Sequence, residues 1–202
     1  LLHVVPRLVV GMLTLGFLLF ITGIHHTDGL LDFGDGVMAL GASESKIEVM
    51  HDQQTGAAGL ALGLVVLGTT GLSVAELNMG IIVRVLISCE VSAKLSMVVC
   101  AWAGRPVHPG LGKLFIEGMH GHWRTLRLAS ALAISFVTAA SLLWIVGILA
   151  LSAGIVTALI IVWLSHRNFR GVTGDVMGAA NELARMASLV TVLAAIRWVS
   201  PL

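Results

Sequence analysis

The sequence predicts an all-α fold, a polytopic bundle of about six transmembrane helices, and three observations support this. Of the 202 residues, 57% are hydrophobic and only 11% are charged, whereas soluble domains carry about 25% charged residues. The mean hydropathy is +0.97. Several apolar runs approach or exceed the ~20 residues that cross a bilayer. We therefore expect a single integral-membrane domain over residues 1–202, embedded in lipid, with a further segment preceding Leu1.

The predicted spans follow from apolar runs that are separated by polar segments. They cover residues 4–24, 56–72 and 79–103, two helices within 128–164, and a last helix from Asp175 to just before Trp198. The run 128–164 is too long for one crossing of the bilayer. Because Gly and Ser mark turns, we place the hairpin between its two helices at Ser152-Ala153-Gly154.

Six crossings place three polar segments, 25–55, 104–127 and 165–175, on the same side of the membrane. Their basic residues are Lys46, Arg105, Lys113, Arg124, Arg127, Arg167 and Arg170. The opposite side carries only Arg7 and Arg197. Because cytoplasmic loops are enriched in Lys and Arg, we predict a multi-pass protein of the cell membrane whose polar segments, and any active site they form, face the cytoplasm.

An acidic cluster lies directly behind the first apolar run, in the stretch from His25 to Gly36. At about 100° per residue, a helix here directs Asp28, Asp32 and Asp35 from one narrow face. Like charges held together repel, and a bound cation relieves that repulsion. Carboxylate oxygens are the ligands that Mg²⁺ prefers. The sequence therefore predicts a magnesium site; the alternative is a solvated acidic loop between two spans.

Five carboxylates form the predicted metal set: Asp28, Asp32, Asp35, Asp52 and Asp175. We expect His26, Asp32 and Asp35 to be catalytic, with His26 orienting a nucleophile or acting as general base. An interfacial His is also often a structural hydrogen-bonding residue.

Four further residues are predicted to bind a phosphate-bearing substrate: Lys113, Arg167, Arg170 and Glu182. The basic ones could instead only determine topology. Glu182 lies seven residues after Asp175, on the same helical face and within an apolar zone, where ionisable residues are functional by default. The Thr173-Gly174-Asp175 sequence is also an ordinary helix start. Glu90 and Lys94, four residues apart, are expected to form an ion pair.

Four motifs together resemble cobalamin synthase, the adenosylcobinamide-GDP ribazoletransferase family. They are His26-x-Asp28-Gly29-Leu30-x-Asp32-x-x-Asp35-Gly36, Met50-x-Asp52, Gly110-Leu111-Gly112 and Thr173-Gly174-Asp175-x-x-Gly178-Ala179-Ala180-x-Glu182. The resemblance implies a Mg²⁺-dependent integral-membrane catalytic domain. Its substrates would be adenosylcobinamide-GDP and α-ribazole or α-ribazole 5′-phosphate, with release of GMP. By position, Asp28, Asp32, Asp35 and Asp52 would hold metal and diphosphate, and Asp175 would complete the site.

Two other functions are alternatives to this one. A CDP-alcohol phosphotransferase would carry Ala-Arg after its first Asp-Gly and acids spaced four and four, whereas this chain has Leu-Leu-Asp and a spacing of four and three. A cation transporter would use Asp28, Glu90 and Glu182 as a pathway and would need acids throughout the membrane depth. The net charge of +1 and the scattered basic residues argue against a nucleic-acid partner. The sequence does not determine the oligomeric state, and a homo-oligomer is one alternative.

Overall fold

The computed structural model describes residues 5–107 and 110–199. Within these residues the fold is helical, with one isolated bridge between Pro106 and Val172. The helices are α1 (Arg7–Thr22), α2 (His25–Met38), α3 (Ser43–Met50), α4 (Ala57–Glu76), α5 (Ile82–Ala103), α6 (Leu111–Met119), α7 (Arg124–Phe169) and α8 (Gly174–Val199). The predicted start of the first span at Val4 lies outside the described residues.

Three of these helices, α4, α7 and α8, are long and apolar enough to cross a membrane. The pair α1 and α2, bent by 97°, also meets these criteria if it is counted as one broken span. Helix α5 has 22 residues but carries Arg84, Glu90 and Lys94 within the described chain. A helical membrane protein is therefore confirmed, while the count of six spans stays a prediction.

Helix α7, with 46 residues, turns back on itself at Trp144. The backbone of Trp144 has φ 54° and ψ −131°, outside the helical region. A side chain at Gly147 would overlap the carbonyl oxygen of Ala139 on the other side of the break. Residues so far apart in a straight helix do not touch, so the two halves of α7 form a hairpin.

The contacts of the two halves with α5 confirm their opposite directions. Arg124, at the start of the first half, donates to the carbonyl oxygen of Trp102 near the end of α5, at 2.7 Å. In the second half, Ala150 accepts from Ser92 and Ala158 accepts from Cys100, so this half runs parallel to α5.

The predicted hairpin at Ser152-Ala153-Gly154 was wrong, although the division of this run into two helices was right. The three residues lie inside the second half of α7. Gly154 is instead a packing residue, because a side chain there would collide with Ser92 on α5. Small residues permit such close approach of helices in membranes.

Helix α2 lies across one end of the bundle, where three other helices begin or end. A methyl group at Gly34 would lie 2.9 Å from the Cα of Gly59 in the first turn of α4. The rings of Phe33 and Phe169 are 6.0 Å apart, which places α2 against the end of α7. The acidic stretch is therefore a helix, as predicted, and it caps the bundle.

The three polar segments predicted to share one side do meet at this end. The amide of Val172 donates to the carbonyl oxygen of Arg105 at 2.7 Å. Lys46 Nζ donates to Asn168 Oδ1 at 2.8 Å and ties α3 to the end of α7. These contacts join segments from three distant parts of the sequence around α2.

Candidate functional site

The backbones of α2 and α8 touch at their crossing. A methyl group at Gly29 would lie 2.8 Å from the Cα of Asp175, and one at Gly178 would lie 3.1 Å from the carbonyl oxygen of His26. A Cβ at Gly29 would push the helices apart, and one at Gly178 would make a tight contact, so glycine permits the close approach. This contact brings the first turn of α8 beside the acidic face of α2.

Three further carboxylates act electrostatically on Asp32. Asp28 is exposed, whereas Asp32, Asp35 and Asp175 are half-buried. Helix α2 is not one of the three spanning helices α4, α7 and α8. Burial raises the pKa of Asp32 to about 7, and the charges of Asp28, Asp175 and Asp35 contribute to this increase. The crossing of α2 and α8 is thus a local concentration of negative charge, as predicted for four of the five acids.

Asp35 accepts hydrogen bonds from two amides at the start of α4. Its Oδ2 accepts a hydrogen bond from the amide of Gly56 at 2.7 Å, and its Oδ1 accepts one from the amide of Gly59 at 2.8 Å. The first amides of a helix have no partner within the helix, and a carboxylate there is also stabilised by the helix dipole. The geometry therefore gives Asp35 a positioning role; its predicted metal and catalytic roles stay predictions.

Asp52 lies apart from the other acids. It is exposed, and its Oδ1 accepts from the amide of Gln54 at 3.1 Å, which forms a local turn. It is not among the charges that shift the pKa of Asp32. The structure does not bring Asp52 into the cluster, and its role as a metal ligand stays a prediction.

The described side chains at the crossing do not form a complete metal site by themselves. Among the residues that the structure describes, no three His, Cys, Asp or Glu side chains form a group that could hold a metal by themselves. Mg²⁺ usually takes one or two carboxylates and completes its shell with water and substrate phosphates. The oxygen donors and the excess negative charge at Asp32 are compatible with this mode of binding.

A cavity of about 220 Å³ opens beside Asp175. Its lining joins two of the motifs, and consists of His51, Gly110, Leu111, Gly112, Lys113, Thr173, Gly174 and Asp175. The two walls are in contact, because a methyl group at Gly112 would lie 2.7 Å from the Cα of Gly174. The first turns of α6 and α8 therefore border one cavity, with a lysine at its wall.

Thr173 and Asp175 shape the start of α8 at this cavity. The Thr173 hydroxyl accepts from the amide of Val176 at 3.3 Å, as an N-cap does. The same hydroxyl donates to Asp175 Oδ2 at 3.3 Å. The helix-start alternative for this motif is thus correct, and the same residues also line the cavity.

His26 is buried, with 9% of its surface exposed, and its ring packs edge-on against His25. Burial, and then the charges of Lys94, His25 and Arg185, lower the pKa of His26 to about 4. The ring is therefore neutral at pH 7, which permits it to accept a proton or a hydrogen bond. Its catalytic role stays a prediction.

The three predicted basic contacts have different surroundings. Lys113 lines the cavity and lies 3.7 Å from Glu117. Arg167 stacks over Trp163, and Arg170 pairs with Glu44 at 3.0 Å on the surface. Lys113 thus lies at the cavity, whereas the two arginines have partners on the surface; the substrate-binding roles of all three stay predictions.

Glu182 is completely buried and belongs to an ion network inside the bundle. It pairs with Arg185 and accepts from Asn181 Nδ2 at 3.1 Å. Arg185 also pairs with Glu90, whose Oε2 is 3.2 Å from Arg185 Nη2. The structure thus gives Glu182 a partner inside the bundle, and its substrate-binding role stays a prediction.

The prediction of a Glu90–Lys94 ion pair was wrong. Glu90 forms its ion pair with Arg185, and Lys94 Nζ donates to Asn181 Oδ1 at 2.9 Å. Sequence reasoning missed Arg185. The signal was its position three residues after Glu182 in an apolar helix, since a charge within a membrane needs a partner.

Comparison with known proteins identifies the family. A family model described as cobalamin-5-phosphate synthase matches residues 1–193. No solved structure matches the chain.

Similar proteins from several archaea are named adenosylcobinamide-GDP ribazoletransferase, and three of them serve as examples. The Methanococcoides burtonii protein is 32% identical over 209 residues, which cover 96% of this chain and 74% of that protein. The Methanocella arvoryzae protein is 35% identical over 209 residues, which cover 96% of this chain and 77% of that protein. The Thermococcus kodakarensis protein is 37% identical over 179 residues, covering 87% and 73%. The chain therefore belongs to the cobalamin-5-phosphate synthase family of transferases, as the four motifs predicted.

Proposed function

We propose that this chain is an adenosylcobinamide-GDP ribazoletransferase. A hydroxyl of α-ribazole, or of α-ribazole 5′-phosphate, forms a new P–O bond to the phosphate attached to cobinamide. The P–O–P bond to the guanosine phosphate breaks, GMP leaves, and the hydroxyl proton is released. Membership of the family and the names of its relatives support this reaction.

The single observation that carries the proposal is the backbone contact between Gly29 and Asp175. It joins the acidic helix to the start of α8, and α8 in turn contacts Gly112 at the cavity. The motifs at the starts of α6 and α8 thus line one opening, and the acidic motif of α2 lies against the start of α8. Enzymes of phosphoryl transfer use carboxylates that hold Mg²⁺ and a lysine that contacts the phosphates, and this arrangement offers both kinds of group.

Asp28, Asp32 and Asp175 are the residues that would hold Mg²⁺ in this proposal, with Asp35 fixing α2 against α4. When bound, the ion neutralises charge on the phosphates and on the departing oxygen. The crowding of carboxylates around Asp32 favours a cation there over an empty site.

The cavity would bind the diphosphate of the substrate. The first turns of α6 and α8 line it, and free amides at helix starts attract phosphate. Lys113 adds a positive charge at the wall. His26 is neutral and lies on α2, two residues before Asp28. It would orient the attacking hydroxyl.

No observation favours a CDP-alcohol phosphotransferase. The transporter alternative loses support because two of its three proposed pathway acids, Glu90 and Glu182, are both paired with Arg185. A pathway for cations needs carboxylates that are free to bind the ion.

The test is release of GMP by purified protein in liposomes supplied with adenosylcobinamide-GDP. We expect release to require α-ribazole or its 5′-phosphate, and to stop with a chelator of divalent cations. A folded preparation that releases no GMP with either acceptor would refute the proposed function.

The proposed cytoplasmic orientation has its own test in membrane vesicles. Because the substrates do not cross a bilayer, we expect turnover in inverted vesicles and none in sealed right-side-out vesicles until they are permeabilised. The reverse result would place the site on the outer face.

A further inference from the structure

Helix α6 exposes large apolar side chains at the end of the bundle that carries the polar segments. The exposed fractions are 86% for Leu111, 66% for Leu114 and 49% for Phe115. Three such residues within one nine-residue helix form a contiguous apolar surface. Exposed apolar patches mark sites of interaction with protein or membrane.

The surface of α6 is divided into three faces. Gly112, Ile116 and Met119 are buried and form the face that contacts α5 and α8. At about 100° per residue, Leu111, Leu114 and Phe115 form a second face, and Lys113 and Glu117 a third. The exposed apolar face and the charged face therefore point in different directions, as in a helix that lies between lipid and water.

Both ends of α6 lie at the ends of long helices of the bundle. Near its start, Gly112 touches Gly174, the first residue of α8. At its other end, His120 Nε2 lies 3.2 Å from the carbonyl oxygen of Trp102, where α5 ends, and α7 begins at Arg124. Because α7 and α8 are long enough to cross the membrane, α6 runs along the level at which they enter it.

Two further features near α6 are typical of a membrane surface. Trp123, which precedes the spanning helix α7, is 58% exposed, and tryptophan is enriched at membrane–water interfaces. Segment 104–127 contains four basic residues, Arg105, Lys113, Arg124 and Arg127, and one acidic residue, Glu117, so its charge without histidine is 4 − 1 = +3. Positive charge of this kind complements anionic lipid headgroups.

We propose that α6 is a membrane-surface helix whose Leu111, Leu114 and Phe115 are inserted at the boundary between headgroups and acyl chains. Its charged face then points to water, and its buried face stays on α5 and α8. Lipid contact holds the first turn of α6, which is one wall of the 220 Å³ cavity, against the start of α8. This inference does not depend on the reaction that the chain catalyses.

The test is spin labelling of single introduced cysteines in the full chain. Leu114→Cys and Phe115→Cys report the apolar face, and Glu117→Cys is the matched control on the charged face. Cys89 and Cys100 are buried, and an unsubstituted sample shows their background. The protein is placed in liposomes of phosphatidylethanolamine and phosphatidylglycerol, and collision rates with oxygen and with a water-soluble nickel complex are measured.

We expect the ratio of oxygen to nickel collisions to be several-fold higher at positions 114 and 115 than at 117. Equal ratios at the three positions would overturn the proposal, because α6 would then lie in water. Spin–spin broadening between labels at position 114 would also overturn it, because the apolar face would then contact a second copy of the chain.

Discussion

Gly29 and Asp175 meet backbone to backbone, with room for no side chain between them. This contact fixes the distance between the acidic face of α2 and the start of α8. Asp32, on the next turn of α2, consequently experiences the charge of Asp175 as well as those of Asp28 and Asp35. The site is thus created by a close approach of two helices, and its carboxylates come from both.

Gly29→Ala should reduce turnover while the bundle stays folded. The added methyl group would lie 2.8 Å from the Cα of Asp175, and overpacking of this kind costs roughly 1–3 kcal/mol. A displacement of about 1 Å at a reacting centre can lower rates ~100-fold. Gly68→Ala on α4 is the matched control, since its methyl group would meet nothing within 4 Å. Equal GMP release by both variants would contradict the proposed importance of the crossing.

Asp175→Asn and Asp52→Asn should differ sharply in activity. Asp175 belongs to the charge cluster, whereas Asp52 is exposed and its side chain accepts from the nearby Gln54 amide. We expect a loss on the order of 100-fold or more for Asp175→Asn, as for other groups that stabilise a charged transition state. Asp52→Asn should lose much less. Equal inactivity of Asp52→Asn and Asp175→Asn would contradict the separation of Asp52 from the site.

Asp35 should affect stability more than its neighbours on α2 do. Asp35→Ala removes the acceptor of both the Gly56 and Gly59 amides, and Asp35→Asn leaves one oxygen acceptor. Loss of a helix cap costs about 0.5–2 kcal/mol. The expected order of thermal unfolding temperatures in detergent is wild type, then Asn, then Ala. Unchanged unfolding of Asp35→Ala would show that the cap does not stabilise α4.

Arg185→Met should strongly destabilise the protein. The side chain is fully buried and pairs with Glu90 and Glu182, which would be left as unpaired charges. Breaking a buried ion pair from one side costs roughly 3–5 kcal/mol. Adding Glu90→Gln and Glu182→Gln should restore much of the stability, because the unpaired charges are then removed.

The surface pair of Arg197 and Glu76 supplies the control for Arg185. Their side chains are 74% and 63% exposed, and surface ion pairs contribute about 0–1 kcal/mol. Arg197→Met should therefore leave thermal unfolding nearly unchanged. A similar loss in the two arginine variants would argue that Arg185 is not buried in the folded protein.

The sequence predicted the helical membrane fold and the shared face of Asp28 and Asp32, because both depend on local composition and helical periodicity. It could not predict that Asp35 bonds to the start of α4, since that depends on where another helix ends. The hairpin was misplaced because Gly154 permits contact with Ser92 and does not form a turn, whereas the chain reverses at Trp144, a residue type that does not mark turns.

Glu182 illustrates a second limit. An ionisable residue in an apolar helix indicates function or pairing, and the sequence alone favoured a substrate contact. Its partner Arg185 was three residues away, but Glu90 came from a different helix. Tertiary packing decides which acid a buried arginine takes, and helical spacing alone does not reveal it.

In the proposed reaction, the carboxylates at the crossing of α2 and α8 bind Mg²⁺ for transfer of a ribazole to adenosylcobinamide-GDP. The most direct measurement is the rate of GMP release against Mg²⁺ concentration, for wild type and Asp32→Asn in the same liposomes. We expect a saturable, acceptor-dependent rate for wild type and a loss of at least about 100-fold for Asp32→Asn, with equal thermal unfolding of the two proteins. A wild-type rate that a chelator leaves unchanged, or an Asp32→Asn rate equal to wild type, would contradict it.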